Sequence, residues 1–299
     1  SPGYDGDGGA AVSAKITISG KVAVSNTGII YFANLAGSTI RRIGLDGVVT
    51  TIAGTGNIGV GGDGGPARDA EFYNPSNVAL DAFDNLYVVD YSHRVRKIDA
   101  AGMISTVVGT GTAGFTGDGG SAASAELNSP SGIVLDATGN LYIADSFNHR
   151  IRKVNSTGII TTVAGTGNQG FSGNNGLATN ADINTPTDVT VDNQGNIYFA
   201  DYGNQLVRKI SVDGIISIVA GNGNPGFSGD GGLATDAQLY NVYGVAVNAN
   251  STIFMSDQGN NRIRQINAPK AVAPAVSLVC IPTNLTDSVQ QISTCTVSR

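Results

Sequence analysis

The feature that most constrains this chain is a repeat of about 56 residues that runs through it five times. The tetrapeptide G-D-G-G places its aspartate at Asp7, Asp63, Asp118 and Asp230, and the fourth copy reads G-N-N-G with Asn174 in that place. A second marker closes an apolar run at Asn34, Asp90, Asp145, Asp201 and Asp257. A third, the inner arginine of a basic segment, recurs at Arg41, Arg96, Arg152, Arg208 and Arg264. All three advance in steps of 55 or 56 residues. A fixed period carried by three in-phase markers means stacked copies of one supersecondary unit, each burying its apolar face on the next.

The third copy shows what the unit is. Ile133–Asp136 is a short apolar strand, and Ala137–Asn140 is a turn whose Gly and Asn accept positive φ. Leu141–Asp145 is rich in β-formers, and Arg150–Val154 alternates polar and apolar as a half-buried strand does. Thr157-Gly158 turns the chain into a fourth strand, Ile159–Ala164. A long Gly-rich connection, beginning Gly165-Thr166-Gly167, then leads into the next copy. Four short antiparallel strands and a long link make a propeller blade, so the fold class is all-β. No segment holds a 3.6-residue apolar period over three turns, which excludes helical solenoids. The 42 glycines fit this reading, since many turns join many short strands.

The runs Pro130–Asp136, Gly139–Asp145 and Asn148–Arg152 resemble an NHL repeat. The blocks Gly54-Thr55-Gly56, Gly109-Thr110-Gly111 and Gly165-Thr166-Gly167, each followed by a G-D-G-G-like segment, resemble the long-linker subclass of secreted and cell-surface proteins. The resemblance covers about residues 3–270 and implies a propeller over 1–270, with repeats at about 3–56, 57–111, 112–167, 168–223 and 224–270. Relatives of this kind more often have about six blades, so the expectation is five blades, or six if another segment or subunit completes the ring. The fifth copy has its first three strands, near 244–248, 253–257 and 262–266, but no fourth strand of the usual pattern follows. Residues 271–299 form a tail that either supplies a closing or exchanged strand or, over 276–297, resembles the opening of a bacterial immunoglobulin-like domain. The start at Ser1, inside a repeat, suggests a processed or truncated piece of something longer.

Composition bounds the function. A net charge of −6, with 17 basic residues spread along the chain, argues against nucleic acid. No apolar run approaches the roughly 20 residues of a membrane helix. Cys280 and Cys295, the only cysteines, are close enough for a local disulfide in an oxidising compartment. Asn155, Asn250 and Asn284 head glycosylation sequons. The expected setting is therefore extracellular or at the cell surface.

The candidate chemistry is dominated by recurrence. Asp90 with Arg94 and Arg96, Asp145 with Arg150 and Arg152, and Asp257 with Arg262 and Arg264 suggest cross-strand ion pairs within blades. Each would be worth a few tenths to about 1 kcal/mol. A residue with one catalytic task should stand out in one copy, and these do not. Asp7, Asp63, Asp118 and Asp230 are candidate calcium ligands, yet each loop offers a single carboxylate, and its glycines are explained by turns. His93 and His149 occupy equivalent places before the outer arginine and read as turn residues, too few for zinc. No G-x-S-x-G or activated nucleophile is present.

Three functions compete. The first is a non-enzymatic extracellular scaffold or interaction propeller, with protein partners or self-assembly into a surface assembly or filament. The second is a carbohydrate- or peptide-binding module using aromatic residues of the connections, Tyr73, Tyr91, Phe115, Phe147, Phe171, Tyr202, Phe227 and Tyr240. The third, implied by some relatives, is a metal-dependent lyase or lactonase. The expectation is no cofactor, with calcium the one ion the loops suggest.

Overall fold

The computed structural model describes residues 5–267, 278–281 and 294–297. Residues 1–266 form one unit and 267–299 another. The first is a five-blade β-propeller in which the strands of each blade pair antiparallel and in sequence order. Blade 1 consists of β1 (Ile18–Val24), β2 (Ile30–Asn34), β3 (Thr39–Ile43) and β4 (Val49–Ala53). Blade 2 consists of β5 (Pro75–Leu80), β6 (Leu86–Asp90), β7 (Arg94–Ile98) and β8 (Ile104–Val108). Blade 3 holds β9 (Pro130–Leu135), β10 (Leu141–Asp145), β11 (Arg150–Val154) and β12 (Ile160–Ala164). Blade 4 holds β13 (Pro186–Val191), β14 (Ile197–Asp201), β15 (Leu206–Ile210) and β16 (Ile216–Ala220). Blade 5 has three strands, β17 (Val242–Val247), β18 (Ile253–Asp257) and β19 (Arg262–Ile266).

The second unit contains one described element, the antiparallel pair β20 (Leu278–Ile281) and β21 (Thr294–Val297), whose backbone register sets Cys280 opposite Cys295. The remainder of the tail, Asn284 included, lies outside the described residues, and with it the immunoglobulin-like and closing-strand readings.

The core consists of four interfaces between consecutive blades, each formed by the same three contributors. Between blades 2 and 3, for example, Val89, Val95 and Val108 meet Ile133, Ile143 and Ile160, with Ala122, Ala125 and Leu127 of the long connection wedged between them. The next interface repeats this with Ala178, Ala181 and Ile183 as the wedge. The wedge needs close backbone approach at its entry. Gly117 has φ +90°, and a Cβ there would lie 2.7 Å from Ala125 Cα, so only glycine fits.

Connections between the second and third strands and the long links between blades leave at one end of the disc, because four antiparallel strands alternate direction. The contacts show this directly. Phe147 N–H, just after β10, donates to Asn128 O of the long link at 3.1 Å. His149 and His93 serve the same junction: their Nδ1 atoms accept from Thr185 N–H (3.1 Å) and Ser129 N–H (3.0 Å) of the next blade's link. Gln205 Oε1 does so for Asn241 in the following copy. Burial holds both imidazoles below their usual pKa, as suits neutral acceptors.

Candidate binding site

The recurring charged residues are used inside the blades. Arg152, fully buried, is gripped by two carboxylates: Asp145 Oδ2 at 3.2 Å and Asp118 Oδ1 of the G-D-G-G loop at 2.8 Å. Arg264 repeats the arrangement with Asp257 at 3.4 Å and Asp230 at 2.6 Å. In blades 1 and 2 the loop aspartate pairs with the inner arginine, Asp7 to Arg41 at 2.9 Å and Asp63 to Arg96 at 2.7 Å. A buried arginine is tolerable only when paired and hydrogen-bonded on most of its donors, and these arginines also donate to carbonyls of the long link.

The four candidate calcium carboxylates, Asp7, Asp63, Asp118 and Asp230, are therefore occupied as arginine partners, and among the described residues no cluster of three metal-ligating side chains occurs. Burial pushes the Asp63 carboxyl up, but hydrogen bonds from Thr106 and Arg96 outweigh it and leave it below the usual range.

The outer arginines behave differently from the cross-strand ion pair that their position suggests. Arg150 stands opposite Asp145 in the ladder. Its guanidinium instead donates to Thr166 O and Asn148 O and stacks 3.6 Å from the Phe115 ring centroid. Arg262 likewise lies 4.1 Å over Phe227, and Arg94 donates to Thr110 O. The physical reason is depth: the carboxylate's open side faces the inner arginine, and the outer one gains a cation–π contact at the surface. Asp90 accepts from Ser92 backbone and side chain. Asn155 and Asn250 stand exposed in their turns.

One column that varies from repeat to repeat lies in the central channel. One position of the innermost strand carries Lys21, Asn77, Gly132, Asp188 and Gly244 in blades 1 to 5. Lys21 Nζ reaches past two blades to Asp188 Oδ1 at 2.9 Å and donates to Val189 O at 2.7 Å. Asp188 Oδ1 also accepts from Val189 N–H, and Asp188 Oδ2 from Val245 N–H at 2.8 Å. One carboxylate thus ties blades 1, 4 and 5 together. Burial pushes its pKa up, and the Lys21 ammonium opposes that. Gly132 makes room: a Cβ there would sit 2.6 Å from Asp188 Cα.

Around this pair the channel wall is polar and mostly paired. Ser131 Oγ donates to Thr187 O at 2.7 Å, and Ser146 Oγ donates to Pro186 O at 2.6 Å. Thr187 Oγ1 donates to Tyr243 O at 2.7 Å. Tyr243 meets Tyr202 edge-on at 6.3 Å. Two groups on the innermost strand of blade 2 are exceptions: the buried Ser76 Oγ and Asn77 Oδ1 have no hydrogen-bond partner among the described residues. A cavity of about 570 Å³ opens here, bounded by Lys21, Asn77, Asp188 and Tyr243 on the channel side and by Phe254, Met255 and Ile263 of blade 5 on the other. The recurring residues serve the blades, and this site lies in a column of the repeat that varies.

Comparison with known proteins agrees with the architecture. A family model described as the Teneurin NHL domain matches residues 57–116 and 111–172, which is blades 2 and 3. Teneurin-1 of Gallus gallus is 29% identical over 279 residues, covering 83% of this chain and 10% of its own length. Teneurin-4 of Homo sapiens is 30% identical over 238 residues, covering 69% and 8%. The chain thus spans about a tenth of the length of these relatives. A Bacteroides thetaiotaomicron structural-genomics protein of unknown function shares the fold with a TM-score of 0.63 at 20% identity, over 83% of this chain and 58% of that one. Five blades in phase, long Gly-rich links seated as interblade wedges, and the matching family model together identify the chain as an NHL-repeat β-propeller.

Proposed function

We propose that this propeller is a non-enzymatic interaction module of an extracellular or cell-surface protein, and that it binds a protein partner at the channel and its cavity. One observation carries the reading: the innermost position, which holds Lys, Asn, Gly, Asp and Gly in the five blades, borders a cavity of about 570 Å³. Repetition builds a rigid disc, and specificity belongs where the repetition is broken. The lining combines apolar surface with a few placed polar groups, the usual make-up of a binding pocket. Asn77 Oδ1 offers an acceptor that a partner's N–H or O–H donor would satisfy.

Teneurin relatives support a protein-binding rather than a catalytic role by kinship of the repeat. The backbone register sets Cys280 opposite Cys295, and the two are proposed to form a disulfide, which would require an oxidising compartment. Among the described residues no helix is long and apolar enough to cross a membrane. Glycan binding and self-assembly into a larger surface structure stand as alternatives. Two of the aromatic rings of the connections, Phe115 and Phe227, are covered on one face by arginines.

The test is a paired screen of the purified propeller against arrays of extracellular protein domains and of glycans. The reading expects a protein partner whose affinity falls at least tenfold in Asn77→Leu. A partner that binds this variant as well as the parent places the contact elsewhere, and hits on glycans alone favour the carbohydrate reading.

A further inference from the structure

The long links into blades 3, 4 and 5 are each held by two consecutive backbone N–H groups. The first donates to an aspartate of the blade that the link enters: Asn128 to Asp145, Asn184 to Asp201 and Tyr240 to Asp257, each at 2.7 Å. The second donates to a side chain of the preceding blade: Ser129 to His93 Nδ1 at 3.0 Å, Thr185 to His149 Nδ1 at 3.1 Å, and Asn241 to Gln205 Oε1. Both parties to this second bond have left-handed backbone. His93, His149 and Gln205 have φ of +61°, +50° and +56°, and Ser129, Thr185 and Asn241 have φ of +48°, +50° and +53°. That conformation is costly, most of all for the β-branched Thr185, and it persists only where surrounding contacts over-determine it. The clasp is one of those contacts.

The three clasps differ in the chemistry of the acceptor. A neutral imidazole accepts at one ring nitrogen, and these two accept at Nδ1, so their proton sits on Nε2. An imidazolium carries N–H on both nitrogens and accepts nothing. Its Nδ1–H would face the link's N–H, donor against donor. The Gln205 amide oxygen does not titrate. Nor do the neighbouring aspartates reproduce the effect. Asp145 and Asp201 take up protons near pH 6, but a neutral carboxyl still accepts through its carbonyl oxygen. The other charged groups acting on the rings are Asp90 and Arg94 at His93, and Arg150 at His149. Asp90 favours the imidazolium, and the two arginines oppose it.

We infer that His93 and His149 form an acid-released latch around blade 3: at neutral pH they lock the links that enter and leave it, and in acid both locks open while the Gln205 clasp between blades 4 and 5 stays shut. Burial lowers the pKa of both rings in the closed form. The opened form therefore takes up the proton first as pH falls below the ordinary value of 6.5. The latch is complete above that value and is lost as pH falls through the lower value of the closed form. Release removes a restraint from two left-handed link residues, Ser129 and Thr185, and so loosens the links locally. Asp145 and Asp201 act on global stability in the opposite direction, because acid neutralises them in their buried sites. The latch is therefore read at its own amides and not in a global melt.

The test is amide hydrogen exchange of the intact chain, followed by NMR near pH 7.5 and near pH 5. Protection of Ser129 and Thr185, referred to the unstructured rate at each pH, should fall at least tenfold in acid, while that of Asn241 holds. His93→Gln and His149→Gln copy the clasp that Gln205 makes from the same backbone conformation. Each should keep its own partner amide protected in acid. Unchanged protection of Ser129 and Thr185 across the two pH values, or an equal fall at Asn241, would overturn the inference without any variant. So would a Gln variant whose partner amide loses protection in acid as the parent's does.

Discussion

Lys21 Nζ lies 2.9 Å from Asp188 Oδ1, although the two residues occupy the same position of the repeat, in blades 1 and 4. Opposite charges at equivalent positions can meet only because the innermost strands converge on one channel. The pair gives a near-symmetric ring a unique direction, and the nearby cavity takes its polarity from it.

The space for Asp188 depends on Gly132. An added Cβ would sit 2.6 Å from Asp188 Cα and 2.8 Å from Thr187 O, both parts of the neighbouring blade's backbone. Gly132→Ala should therefore cost about 2–3 kcal/mol by overpacking. Gly139→Ala, at φ +82° in open space, should cost only about 1 kcal/mol from backbone strain. Denaturant melts of the two variants check the ordering. Equal losses would mean that the blades separate there without penalty.

Blade 4 lacks the loop carboxylate that grips the inner arginine elsewhere. Asn174 replaces it, and the buried Arg208 Nε has no partner among the described residues. Asn174→Asp should restore the arrangement seen between Asp118 and Arg152 and stabilise the protein by about 1–2 kcal/mol. Thermal unfolding at neutral pH measures this, and a drop in melting temperature would show that Arg208 has no use for a second carboxylate.

Asp145 and Asp201 are pushed up to about 6 by burial, against hydrogen bonds from Asn128 and Asn204 and the attraction of Arg152 and Arg208. The unfolded value is near 3.8. Well below pH 3.8 both states are protonated, and the groups leave stability untouched. As pH rises toward 6 the unfolded chain ionises first, so each group removes roughly 3 kcal/mol, and the loss is complete above its folded pKa. Carbon-13 NMR titration of the carboxyls should place both midpoints near 6. Midpoints near 3.8 would mean that the arginines outweigh burial.

The blade architecture was legible because local signals agreed: alternation in 150–154, turn residues at Gly139 and Gly158, and markers in phase. Strands β10, β11, β18 and β19 fall where these signals place them. The Asp118–Arg152 pair was not read, because its partners lie 34 residues apart and meet only when the long link folds back over the blade. Their shared period was the available clue. Arg150 misled for a related reason: ladder position puts it opposite Asp145, but side-chain depth decides its partner. Lys21 and Asp188 escaped because equivalent positions in different blades touch only across a channel, which no local pattern encodes.

The most direct test of the channel pair is a double-mutant cycle on Lys21→Met and Asp188→Asn, followed by urea unfolding at pH 8. Lys21→Met leaves a buried carboxylate without its counter-charge and should cost about 3 kcal/mol, less at lower pH as Asp188 takes up a proton. The expected coupling energy between the two sites is about 2 kcal/mol. Additivity within about 0.5 kcal/mol would contradict it, showing that no link spans the channel between blades 1 and 4.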